Sequence, residues 1–259
     1  MKYFSEQQIA ELQNDYDSIE EKYLFLLKEF TSHKYKTEDA SEHATQGFMR
    51  RLKTMSYCIR NVFELLPPDL DVIPSEEDRD DALINIQAFL FNVFGSVDNL
   101  AWMWVKETNL KKNGKEPSKN QIGLRSGNKI VRESLPKNLE DHLKGLEAWF
   151  EYLENFRHAL AHRVPPYIPP HIVPPDKEAA YLQLEEAINA AINVGDIEKH
   201  DRLRHEQEAL AFFRPWILHS FIEKTKPIVF HAQLLVDFKT VFELGRLFIE
   251  ELGQQKHRN

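Results

Sequence analysis

The chain has 259 residues, 42% of them hydrophobic, enough for a large core, and its net charge of −8 (pI about 5.8) argues against broad, unspecific nucleic-acid binding. Its single cysteine, Cys58, excludes an intramolecular disulfide framework, suits a reducing compartment and sits among Met55, Ile59 and Val62 as a core position. The first residues lack an apolar signal-type segment, and the apolar stretch 83–105 is broken by Asn85, Gln87, Asn92, Ser96, Asp98 and Asn99, too polar to face lipid, so the expectation is a cytoplasmic protein with no membrane contact.

Thirteen prolines, nine glycines and few alternating apolar runs predict an all-α fold, a helical bundle punctuated by prolines and read as one domain over 1–259. The first helix is predicted over 6–31, where Ile9, Leu12, Tyr16, Ile19, Tyr23, Leu26 and Phe30 recur at steps of three and four. Thr37 is a plausible N-cap for a second helix carrying Ala44, Phe48, Leu52, Met55, Ile59 and Val62, which Pro67 and Pro68 end. Ser75 and Asp78 fit a capping box before the longest helix, about 76–109, the expected centre of the bundle. Within it Asp98 is the only acid between Asp81 and Glu107, and its core-type neighbours require that its charge be paired or hydrogen-bonded. Asp98 is either a structural partner for an Arg or Trp N–H, or a group that orients the cluster at 157–163.

Residues 111–137 read as a long polar loop. Eight Lys or Arg against two acids make it +6, which leaves −14 on the remainder of the −8 chain. Such a loop is either simply solvated or able to hold a phosphate backbone. A fourth helix is expected from 139 to 163, followed by a Pro-rich strip over 164–175 that packs across the bundle. Asp176 is expected to cap a fifth helix ending at Gly195, with a sixth over 197–213, a mixed segment 217–228 and a last helix over 231–252.

Arg157, His158, His162 and Arg163 fall within two turns at the end of the fourth helix, and three readings compete for them. His158 and His162 stand four apart, a metal-ligand spacing that Glu154 extends. Ala159, however, occupies the position where zinc hydrolases of the His-Glu-x-x-His type carry Glu, and the third ligand would have to be Asp98 or a distant His. No metal and no cofactor are therefore expected. In the second reading Arg157 clamps a phosphate and His162 moves a proton to activate a ribose 2′-hydroxyl. Five residues span about 140° of an ideal helix, so Pro165 is expected to loosen the helix around His162, and a second copy of the chain to supply further groups. In the third reading the four residues only cap the helix and tie down the Pro-rich strip. Asn155, Arg163 and Tyr167 are candidate substrate contacts, Tyr167 being either core filler or a base-stacking platform.

Arg157, polar His158 and, after three intervening residues, His162 resemble the Arg–polar–x-x-x–His motif of the HEPN superfamily. The strings Asp-Asn-Leu-Ala-Trp at 98–102, Phe-Arg-His-Ala-Leu-Ala-His-Arg at 156–163 and Tyr-Ile-Pro-Pro at 167–170 resemble a bacterial branch of it. So do Pro-Trp-Ile-Leu-His at 215–219 and Lys-Pro-Ile-Val-Phe-His at 226–231. The resemblance implies an all-α bundle and a metal-independent endoribonuclease that works as a homodimer with the motif at the interface. It implies His162 as the proton-transfer residue, Arg157 as the phosphate clamp and His158 as the supporting polar position; the residues themselves add Asp98 as a possible support. RNA is the implied substrate, and an antitoxin-like protein is a further candidate partner. The alternative is a non-catalytic module that uses the same pocket to bind nucleotide or RNA, or to dimerise.

Overall fold

Side-chain caps start the helical runs at Glu6, Glu38 and Glu76. In the computed structural model, which describes residues 2–218 and 226–258 (side chains through 254), Ser5 Oγ accepts the Gln8 N–H at 3.3 Å. Gln8 Oε1 accepts the Ser5 N–H in return at 2.9 Å, and α1 (Glu6–Ser32) follows. Its stripe buries Leu12, Ile19, Leu26 and Phe30. Thr37 Oγ1 accepts the Ala40 N–H at 3.1 Å and opens α2 (Glu38–Ser41). That turn runs through π-helical residues Glu42–Phe48 into α3 (Met49–Leu65), which stops before Pro67 and Pro68. The π segment is absent from the sequence expectation. Ser75 Oγ accepts the Asp78 N–H at 3.0 Å and starts α4 (Glu76–Thr108), which ends on Asn109 in the left-handed region at φ 50°.

The fold class is all-α, as expected. α3 lies along α4, while α10 (Phe230–Arg258) packs against α1, α3 and α4. Phe30, Phe48, Phe89, Trp104, Phe230, Phe238 and Phe248 fill the junction with negligible exposure. Cys58, on α3, is part of this core. No helix among the described residues is long and apolar enough to cross a membrane.

Four boundaries differ from expectation. The expected fourth helix is two: α6 (Lys137–Gly145) and α7 (Glu147–His162), separated at Leu146, whose ψ is 8°. The break lets α6 bury Leu139 and Leu143 while α7 separately turns Phe150, Leu153 and Phe156 toward the core. The 111–137 loop contains a 3₁₀ turn at Lys119–Gln121 and a short α5 (Lys129–Arg132). It is anchored by Arg132, a buried side chain that pairs with Glu140 and Glu147 and donates to Leu124 O at 2.8 Å. Asp176 lies inside a 3₁₀ turn, Pro175–Lys177, and α8 (Glu178–Asn193) starts without a side-chain cap. Gly195, at φ 76°, ends α8 as expected. The sixth helix, α9 (Ile197–Glu208), ends five residues short of the expected 213 because the chain turns away to bridge Phe212 with Ile172 of the Pro-rich strip.

That strip packs as expected. Its Pro166 carbonyl accepts from Gln87 Nε2 at 3.2 Å, Tyr167 bridges Leu218, and Pro166 and Ile168 are buried. The described ends of the mixed segment pair antiparallel, β1 (Trp216–Ile217) with β2 (Ile228–Val229). His219, the end of one string quoted above, lies outside the described residues. α8 and α9 pack chiefly on each other, and their buried Ile188 and Ala191 stand apart from the main core.

Candidate functional site

α7 stays helical through His162, with the Arg163 N–H still donating to Ala159 O at 3.2 Å. Arg163 then takes an extended conformation (φ −126°, ψ −153°), so the chain has left the helix before the Pro165 ring can meet a helical carbonyl. The expected loosening around His162 therefore does not occur, and Arg157 and His162 keep their wide angular separation. His162 is exposed. Arg157 instead turns toward α4, its Cζ 4.7 Å from the centre of the Phe94 ring.

His158 is half-buried between its two helical neighbours. Its Nε2 stands 3.7 Å from Glu154 Oε1, and its ring centre is 6.3 Å from that of His162. Glu154 also pairs with Arg125, and that hydrogen bond holds its carboxyl below the usual carboxylate range. The Glu154–His158–His162 row is thus partly committed to an arginine. Among the described residues, no group of three His, Cys, Asp or Glu side chains is placed to hold a metal ion.

Asp98 sits one turn after Phe94 and Gly95 on α4. Burial holds its carboxyl above the usual range against the pull of Arg125, Arg157 and Arg51. Among the described residues no side chain hydrogen-bonds or ion-pairs directly with it. It lines a cavity of about 20 Å³ with Phe94, Arg125, Asn128, Phe150 and Leu153, room for about one water. Asp98 is therefore brought together with Arg157, while His162 is not.

The remaining candidates lie along the helix end. Arg163 Nη1 donates to Asn155 Oδ1 at 3.4 Å, folding the arginine back along α7. Tyr167 exchanges backbone hydrogen bonds with Leu218 (2.7 and 3.0 Å), and its half-buried phenol is pushed up by burial. Arg125, Phe94 and Arg51 were missed by the sequence reading. Arg125 stood in the loop noted as basic, and Gly95, a glycine inside a long helix, marked the place where another side chain crosses α4.

Chemically, the cluster presents one half-buried guanidinium without an ion pair among the described residues, Arg157, beside a partly screened carboxyl. The His162 imidazole stands at the surface about one and a half turns further along α7. Searches for similar protein families, curated proteins and solved structures find no match to this chain.

Proposed function

We propose that the chain is a metal-independent endoribonuclease of HEPN type, acting in the cytoplasm as a homodimer. The observation that carries this reading is Arg157, a guanidinium held over Phe94 beside Asp98 with no acid bound to it among the described residues. A permanent cation so placed suits a phosphodiester, whose charge grows as the reaction proceeds. His162 takes the proton of the ribose 2′-hydroxyl, whose oxygen forms a bond to the adjacent phosphorus while the bond to the 5′-oxygen breaks. The departing oxygen receives a proton, and the products are a 2′,3′-cyclic phosphate and a 5′-hydroxyl end. His158, backed by Glu154, supports the imidazole, and Asp98 orients Arg157. Asn155, Arg163 and Tyr167 border the strand. Because Arg157 and His162 diverge around α7, the reading needs a second copy whose groups meet them across a two-fold axis.

The same divergence favours a second reading, a non-catalytic module that binds RNA or nucleotide, or dimerises, through this surface. An RNA cleavage series in EDTA separates the two. Cleavage by wild type that is lost in Arg157→Ala and His162→Ala, with cyclic-phosphate ends, is the expected result. Cleavage retained by pure His162→Ala sinks the enzymatic reading, and activity that EDTA abolishes returns attention to Glu154, His158 and His162 as metal ligands.

A further inference from the structure

Opposite Arg157, α3 brings a second arginine to the same level of α4. Arg51 Nε–H donates to Asn99 Oδ1 at 3.0 Å and Nη1–H to Asn92 Oδ1 at 3.3 Å. Among the described residues no carboxylate pairs with it directly, so neutral amides hold it in place and most of its five donors remain available. The seat depends on glycines. A Cβ at Gly95 would stand 2.4 Å from Arg51 Cζ, and a Cβ at Gly47 would stand 2.5 Å from Asn99 Nδ2.

Glycine inside a helix is less favourable than alanine by about 1 kcal/mol. Here two stand where they admit an arginine and the asparagine that holds it. Gly47 belongs to the π-helical segment, which also places His43 Nδ1 3.3 Å from Asn99 Nδ2. Arg51 is thus positioned by a built network and not merely draped on the surface.

Three guanidiniums, Arg51, Arg125 and Arg157, act on Asp98, and one of them is already bound to Glu154. These three guanidiniums outnumber Asp98 and Glu154 by one charge, with Glu151 also near Arg125 and Glu147 taken up by Arg132. Phe91, one turn before Gly95 on the same stripe of α4, is 46% exposed beside it. An arginine pair flanked by an exposed aromatic ring suits a single strand, whose phosphates need cations and whose bases stack.

We propose that Arg51 is a second phosphate contact: a single RNA strand crosses α4 at Gly95, with one phosphate at Arg157 and a neighbouring one at Arg51. The proposal rests on the RNA part of the reading above and not on cleavage.

The test measures binding of a labelled 2′-O-methyl RNA of about 12 nucleotides by fluorescence anisotropy, from roughly 50 to 200 mM KCl. This probe lacks the attacking hydroxyl, so binding is read whether or not the chain cuts RNA. Arg51→Gln is expected to weaken binding about 5- to 10-fold and to flatten the log–log salt dependence by about 0.7, the loss of one single-strand phosphate contact. Arg51→Lys should recover the slope. Gly95→Ala, which keeps every charge but displaces the guanidinium, should flatten the slope like Arg51→Gln while leaving helicity and Tm undiminished. Weaker binding with an unchanged salt slope in Arg51→Gln assigns the arginine a structural role and overturns the proposal, as does a wild type that binds no RNA at the lowest salt. Absence of cleavage in EDTA together with the expected slope change removes the metal-independent nuclease and leaves the Arg51 contact standing.

Discussion

Asp237, on α10, is fully buried, and Trp149 Nε1 (2.8 Å), Gln233 Nε2 (2.8 Å) and Tyr152 Oη (3.3 Å) donate to its carboxyl. Burial pushes its pKa up to about 7 even so. His231, on the same helix and also buried, donates Nε2–H to Leu66 O at 2.6 Å and is pushed down to about 4 by burial. Folded Asp237 holds a proton that the unfolded chain releases above its ordinary value of 3.8, so its contribution to stability is lost as pH rises toward 7. Folded His231 rejects a proton that the unfolded chain takes up below 6.5, so its contribution is lost as pH falls toward 4. Across that shared window the two slopes oppose each other. Asp237→Asn leaves the His231 slope alone, and its stability relative to wild type should climb with pH through the window, by up to about 3 kcal/mol. Thermal unfolding followed by circular dichroism at a series of pH values checks the sign. At this scale the sequence marked Asp98 as an acid among core residues whose charge had to be paired or hydrogen-bonded; Arg125, Arg157 and Arg51 pull on it from nearby, and among the described residues no side chain binds it directly. Arg51 was hidden, because an arginine 47 positions away in the chain leaves no local pattern; only Gly95 hinted at it.

Helices α1, α2 and α4 were readable from apolar spacing, with Thr37 and Ser75 marking the starts of α2 and α4, because capping and amphipathicity are local properties; the Ser5 cap of α1 was not read. The π-helical segment and the break at Leu146 were not, since both are set by how neighbouring elements fit. Gly245 on α10 illustrates that dependence. A Cβ there would lie 2.6 Å from Phe48 Cζ and 3.1 Å from Leu26 Cδ1, where α10 crosses the π segment and α1. Helix propensity alone favours alanine by about 1 kcal/mol. Overpacking against a buried ring costs about 1–3 kcal/mol. Gly245→Ala is therefore expected to lower the urea midpoint by a net loss on the order of 1 kcal/mol, and an increase would show that Phe48 can yield.

Taken whole, the molecule divides by depth of burial. α4 and α10 are buried along much of their length, whereas α8 and α9 expose Leu182, Ile192, Val194 and Ile197 and bury little beyond Ile188, Ala191 and Gln207. Local opening needs less energy where few apolar contacts are lost. Hydrogen exchange followed by mass spectrometry should accordingly show peptides from 178–208 exchanging at least about 10-fold faster than those from 86–105; equal protection would mean that the hairpin unfolds only with the core. The bundle was visible in the sequence because periodicity reports which face is apolar. The separateness of this hairpin was not, because periodicity does not report what covers that face.

The buried thiol has a practical use. Cys58 is 5% exposed and burial pushes its pKa up to about 11, so it is a poor thiolate in the native protein. A maleimide should leave wild type unmodified while folded and react once urea opens the core, as intact-mass measurement would show. Ala161, exposed on the last turn of α7, can then be replaced by cysteine and spin-labelled without first removing the native sulfur. The dipolar coupling between two such labels would tell whether paired chains bring their α7 ends face to face, a question neither copy can answer alone.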